Sequence, residues 1–231
     1  MKFCALILAV GLASCGSPGR QVKTPVIRPS EVTDFGVLYG QNCSGCHGID
    51  GQGPLAVAIG SPVYLAITDD ATIRRVVALG RPGTAMPGFG QTAGGLLTAA
   101  QVDVLVRGMR EHWARPGALG SDQPPAYSAS QPGDTERGHN VYTTFCSSCH
   151  GSDGRGGRAG SIIDSSYLGL VSDQYLRTVT ITGMPALGAP DWSGNVPGKP
   201  MSDADVTDVV AWLVAQRLPL SAQLNHPGDS E

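Results

Sequence analysis

The chain has 231 residues, with 16 Lys and Arg against 19 Asp and Glu, a net charge of −3, 6% aromatic residues, 32 Gly and 17 Pro. So balanced a charge argues against a nucleic-acid partner. The load of turn formers leaves only a modest apolar core for two domains.

From the N-terminus, Lys2 followed by the apolar run from Phe3 to Ala13 is too short to span a bilayer and has the form of a signal peptide. Leu12-Ala13-Ser14-Cys15 resembles the lipobox of bacterial lipoproteins. Residues 1–14 then read as a leader, and Cys15 as the lipid-bearing mature N-terminus. The bland alternative is an ordinary secretory signal with a chance cysteine. No other run of about 20 apolar residues occurs, so nothing else is expected to cross a membrane. The polar, Pro-containing residues 15–33 read as a tether.

A first domain, 34–113, opens with a helix carrying Cys43-Ser44-Gly45-Cys46-His47. Asp69 or Asp70 caps a second helix with Ile73, Val76 and Val77 on one face, ended by Gly80 and Pro82. Thr98-Ala99-Ala100-Gln101 has capping-box form and starts a last helix with Val102, Leu105, Val106 and Met109 at helical spacing. Residues 114–133, rich in Pro, Gly, Ser and Ala, show no period and read as a linker. Residues 134–217 repeat the first domain at an offset of 103 (Tyr39 to Tyr142). Cys146, Cys149 and His150 recur at this offset, as do Asp153-Gly154, Tyr167-Leu168, Arg177 and Gly183, without gaps across about fifty positions. Residues 218–231 form a polar tail. No alternating strand pattern appears, so the expected fold is all-α, two tandem helical domains.

Cys43-Ser44-Gly45-Cys46-His47 and Cys146-Ser147-Ser148-Cys149-His150 are the sites that carry chemistry. On one helical turn, two thiols three positions apart can each add to a vinyl group of one porphyrin, and the adjoining imidazole turns under the iron. A zinc site would need four ligands, a redox dithiol a thioredoxin-like context, and a structural disulfide no histidine. Two covalently bound haem c groups are therefore expected, with Cys43, Cys46, Cys146 and Cys149 as attachment points and His47 and His150 as iron ligands. A porphyrin is itself a large apolar body, which reconciles the small, Gly-rich domains with folding. Attachment outside the cytoplasm agrees with the leader, and Cys4 and Cys15 are the only other cysteines.

These motifs, the repeat and the helical pattern make the chain resemble the class I cytochrome c family over 34–113 and 134–217. The resemblance implies crossed N- and C-terminal helices, a haem between them, and a methionine from the loop before the last helix as sixth iron ligand. In the first domain that loop is Gly80-Arg81-Pro82-Gly83-Thr84-Ala85-Met86-Pro87, so Met86 is the expected ligand, with core filling as its alternative. In the second domain the equivalent position is Ala189. Met184 or Met201 is expected to replace the missing ligand, or neither does; Met201 precedes the Ser202 cap, where an apolar staple residue is common. Met109 reads as packing, and His112, His139 and His226 as solvated surface groups.

The proximal imidazoles need acceptors for their second nitrogen, for which carbonyls near Pro62 and Ser165 are candidates. Arg74 and Arg177 match across the repeat and read as a solvated helix face rather than as neighbours of haem carboxylates. The expected function is a dihaem electron carrier, not an enzyme, exported and lipid-anchored on the outer side of a bacterial membrane. It exchanges electrons with redox protein partners, and no small-molecule substrate is expected. The alternatives are a peroxidase-like enzyme or gas sensor with an open second haem, and a fixed subunit of a larger respiratory complex.

Overall fold

The computed structural model describes residues 27–120 and 122–217. The leader, Cys15, most of the tether, the tail and His226 lie outside the described residues. Those described are helical, with no strand and two isolated β-bridges. The first half holds α1 (Phe35–Asn42), α2 (Ser44–His47), α3 (Pro62–Ile67), α4 (Asp70–Leu79) and α5 (Ala99–Trp113). The second holds α6 (Thr135–Phe145), α7 (Ser147–His150), α8 (Ser165–Leu170), α9 (Asp173–Thr182) and α10 (Asp203–Ala215). α3 and α8, and α4 and α9, correspond residue for residue at the repeat offset.

The helices begin where polar caps precede apolar periodicity. Asp69 accepts from the Thr72 N–H at 2.6 Å, and Ser172 from that of Tyr175 at 3.1 Å. The expected capping boxes form at Thr98 with Gln101 and at Ser202 with Asp205. Each cap satisfies otherwise orphaned donors and contributes about 1 kcal/mol. α4 and α9 end on Gly80 and Gly183, at φ 70° and 66°. A Cβ on Gly80 would lie 2.5 Å from the Gly88 nitrogen and 2.6 Å from the Met86 carbonyl oxygen. Only glycine lets the chain double back closely enough to bring the Met86 loop over the end of α4.

The single cysteine-bearing helix expected from the sequence is two pieces in each half, interrupted at the first cysteine. Cys43 has φ −121° and Cys146 φ −118°. Hydrogen bonding nevertheless continues, since His47 N–H donates to Cys43 O and His150 N–H to Cys146 O, both at 3.0 Å. Added i→i+3 bonds from Cys46 and Cys149 tighten the turn that carries the motif.

α1 packs on α5, and α6 on α10 in the most extensive helix pair of the chain. The two crossings solve the same packing problem in opposite ways. In the first, Phe35 fills the space that Gly108 leaves on α5; a Cβ on Gly108 would sit 2.1 Å from the Phe35 ring. In the second, Gly138 occupies the Phe35 position and Trp212 the Gly108 position. A Cβ on Gly138 would come within 2.1 Å of the Asp208 carbonyl oxygen and 2.8 Å of Trp212 Cβ. Trp212 instead stacks on Tyr142 at 4.3 Å between ring centroids. Asp208 receives Arg137 through two hydrogen bonds, 2.7 and 3.1 Å, and the Asp134 N–H at 2.7 Å. The Arg137 guanidinium holds this carboxyl below the usual carboxylate range.

Arg177 departs from its expected role. It is 3% exposed, not part of a solvated face. Its guanidinium donates to Ala126 O, to Thr207 Oγ1 and to Asp203. Arg74 does lie on an exposed face, paired with Asp103 at 2.6 Å. The linker is thus clamped onto α9 and α10, with Ala126 N–H donating to Asp203 Oδ1 at 2.9 Å. The halves also share packing, since Val63 and Ile67 of α3 belong to the second half's apolar cluster.

Candidate functional site

In the first half, α2 presents Cys43, Cys46 and His47 to a cavity of about 370 Å³, and the loop after α4 brings Met86 to the same cavity. The walls are mostly apolar and include Tyr64, Ile73, Val77, Phe89 and Leu105. Met109 is 3% exposed, packs in the first core and also reaches the cavity wall. Its expected role as packing holds.

His47 is oriented by its own backbone context. Its Nδ1 bonds Val57 O at 2.9 Å, which leaves Nε2 for a ligand role. Burial pushes its pKa below the ordinary imidazole value, favouring the neutral form that binds metals. Tyr39 locks the same turn by donating from its hydroxyl to Gly48 O at 2.6 Å.

The second half repeats this geometry. His150 Nδ1 bonds Gly160 O at 2.9 Å, and Tyr142 OH donates to Gly151 O. The acceptors are therefore Val57 and Gly160, ten residues beyond each histidine, in the loops that lead to Pro62 and Ser165. The loop turns back on itself before it reaches α3 or α8.

None of the four motif cysteines is paired in a disulfide. Burial, then the neighbouring cysteine, pushes the Cys43 and Cys146 thiols up to about 12. Cys149 is shifted the other way by hydrogen bonds from Arg158 and Ser148, the former at 3.0 Å. Among the described residues no group of three or more His, Cys, Asp or Glu side chains could hold a bare metal ion. The donor set fits a porphyrin iron: paired thiols, one oriented imidazole, one thioether, and apolar walls.

The candidate sixth ligands of the second half occupy different environments. Met201 is 1% exposed among Trp192, Val206 and their neighbours. Its N–H donates to Trp192 O at 2.9 Å, as Leu97 N–H donates to Phe89 O at 2.8 Å, so Met201 fills the place of a core leucine. Met184 is half-buried and forms a two-bond antiparallel bridge with Ala189, 3.1 and 3.2 Å. Directly opposed residues in such a bridge send their side chains to the same side. The first half has one bond of this bridge, Arg81 N–H to Met86 O at 2.9 Å. Met184 thus stands beside the position that Met86 takes in the first half. His112 and His139 are exposed, each against an aromatic ring, Phe35 and Trp212.

Comparison with known proteins agrees with this geometry. The family model described as cytochrome c oxidase, cbb3-type, subunit III matches twice, over residues 30–107 and 133–213. The cytochrome bc1 complex cytochrome c subunit of Mycobacterium leprae is 28% identical over 183 residues, 78% of this chain. This chain spans 62% of that relative's length. Among solved structures, a reducing HAO-like protein complex of Kuenenia stuttgartiensis is similar at 19% identity and TM-score 0.44, covering 82% of this chain and 99% of that one. The dihydro-heme d1 dehydrogenase NirN in complex with DHE is similar at 30% identity and TM-score 0.30, covering 44% and 21%. Likenesses this loose carry no argument about function. The two matches of the family model together cover well over half of the residues, each containing one Cys-Cys-His turn, and the chain belongs to the family of the cbb3-type cytochrome c oxidase subunit III.

Proposed function

We propose that the protein is a dihaem c-type cytochrome that carries electrons between protein partners of a respiratory chain on the outer side of a bacterial membrane. The carrying observation is the duplicated proximal site. Each motif histidine is bound through Nδ1 to a carbonyl ten residues on, at the same 2.9 Å, with both thiols on the same turn. When bound, haem c supplies a one-electron Fe(III)/Fe(II) couple. The chain would hold the cofactor by Cys43 and Cys46, or Cys146 and Cys149, and orient the imidazole; in the first half the mostly apolar cavity would exclude water.

Bound haem would take His47 and Met86 as iron ligands in the first half, and His150 and Met184 in the second. Met184 is preferred to Met201 because Met201 is committed to the core. A position among respiratory proteins is supported by the family and by the relative's designation as a bc1 complex subunit. Lipid on Cys15 provides the membrane attachment.

A second reading rests on Ala189: a second haem with an open iron would suit ligand sensing or peroxidase-like chemistry. Haem quantification separates the outcomes. Wild type is expected to retain two haems per chain after acid-acetone extraction. Cys43→Ala with Cys46→Ala should retain one. Near-infrared spectra of the oxidised protein should show two methionine-ligated irons; a single one would favour the open-haem reading.

A further inference from the structure

The cavity holding Cys43, Cys46, His47 and Met86 is not walled by the first half alone. Tyr127 of the linker lines it, as do Tyr167, Leu170 and Tyr175 of α8 and α9. Arg81 is the only Lys, Arg, Asp or Glu among its lining residues. The Arg81 guanidinium donates to the Tyr127 hydroxyl. Tyr127 is in turn positioned from the second half: Gln174 Nε2 donates to its carbonyl at 2.7 Å, and Arg177 holds the adjacent Ala126 carbonyl at 2.8 and 3.0 Å.

Among the described residues Arg81 makes no ion pair, whereas Arg74, Arg110 and Arg177 each meet an aspartate. A guanidinium on an apolar wall calls for a counter-charge. A porphyrin brings two carboxylates into such a space. We propose that Arg81 and Tyr127 form the carboxylate anchor of the first haem, so that the linker and the second half are parts of the first cofactor's binding site. This rests on the reading of that cavity as a haem site.

The anchor is private to the first half, because the position of Arg81 is occupied by Met184 in the second. One place in the fold thus serves charge pairing in one copy and, on the reading above, iron ligation in the other. The electrostatic sign is fixed by the couple. A cation near the iron disfavours Fe(III), and the Tyr127 hydroxyl, donating its proton to the carboxylate, spreads that anion's charge. Loss of either group should favour the ferric state of the first haem.

The test is a redox titration of the full-length holoprotein, with the second haem as internal reference. Arg81→Gln is expected to shift the first haem about tenfold toward ferric, a potential lower by 59 mV for one electron. Tyr127→Phe, which removes a single oxygen from a residue outside the first domain, should shift it in the same direction by less. Arg74→Gln, on the exposed face of α4, should shift neither haem. A first haem unmoved by Arg81→Gln overturns the anchor. One moved by Arg81→Gln but not by Tyr127→Phe overturns the contribution of the linker. Absence of haem on Cys43 and Cys46 in the wild type would instead remove the carrier reading and this proposal together.

Discussion

Three methionines of similar chemistry are separated by their surroundings. Met86 lines the cavity beside His47, Met184 faces Ala189 across a two-bond bridge, and Met201 is sealed in a core. Met86→Ala should therefore open the first haem to carbon monoxide, and Met184→Ala the second, each read as a new band in the reduced protein. Met201→Ala should leave both haems closed but lower unfolding stability by about 2–5 kcal/mol, the ordinary cost of emptying a methionine-sized core site. Carbon monoxide binding to unmodified reduced protein would show an iron already open.

At this scale the sequence was uneven in what it disclosed. On the haem reading, the cysteines and histidines stand out because covalent attachment imposes their spacing. Val57 and Gly160 do not, because any residue has a carbonyl and identity leaves no mark on that role. Arg177 was misread because helical periodicity reports which face a residue occupies, not that a linker has folded over that face.

Among the elements, the caps at Asp69, Thr98, Ser172 and Ser202 follow directly from local sequence, since a cap involves residues only two or three apart. The helix crossings are long-range and their logic appears only in space. Phe35 with Gly108, and Gly138 with Trp212, place one large and one absent side chain on opposite helices of each pair. The two glycines are not equally replaceable. An added methyl at Gly108 meets the side chain of Phe35, half-buried among Tyr39, His112 and Trp113, and no backbone of another helix. At Gly138 it meets the Asp208 backbone, which moves only if α10 moves. Gly138→Ala should cost about 1–3 kcal/mol as an overpacking change, and Gly108→Ala less. Phe35→Ala should relieve most of the Gly108→Ala penalty in a double-mutant comparison. Equal penalties by chemical denaturation would contradict this account.

For the whole molecule, no helix among the described residues is long and apolar enough to cross a membrane. Attachment through Cys15 then predicts a sharp phenotype, since acyl chains contribute about 0.8 kcal/mol per buried CH₂. Cys15→Ser should move the protein from the membrane pellet to the soluble fraction, or leave it unprocessed, without changing the haem content of the chains that mature. Unchanged membrane partitioning would place the attachment elsewhere.

The halves also meet in a revealing pattern. α3 of the first half packs on α9 of the second, while α8, the counterpart of α3, shares the cavity wall with α4, the counterpart of α9. α4 and α8 meet only across that cavity, so the two halves contact each other asymmetrically. Two separate halves would form this surface at a strength set by concentration. Covalent fusion replaces that dependence with a fixed, high effective concentration. It also requires no identity of the two copies, which permits Arg81 and Met86 in one where the other carries Met184 and Ala189.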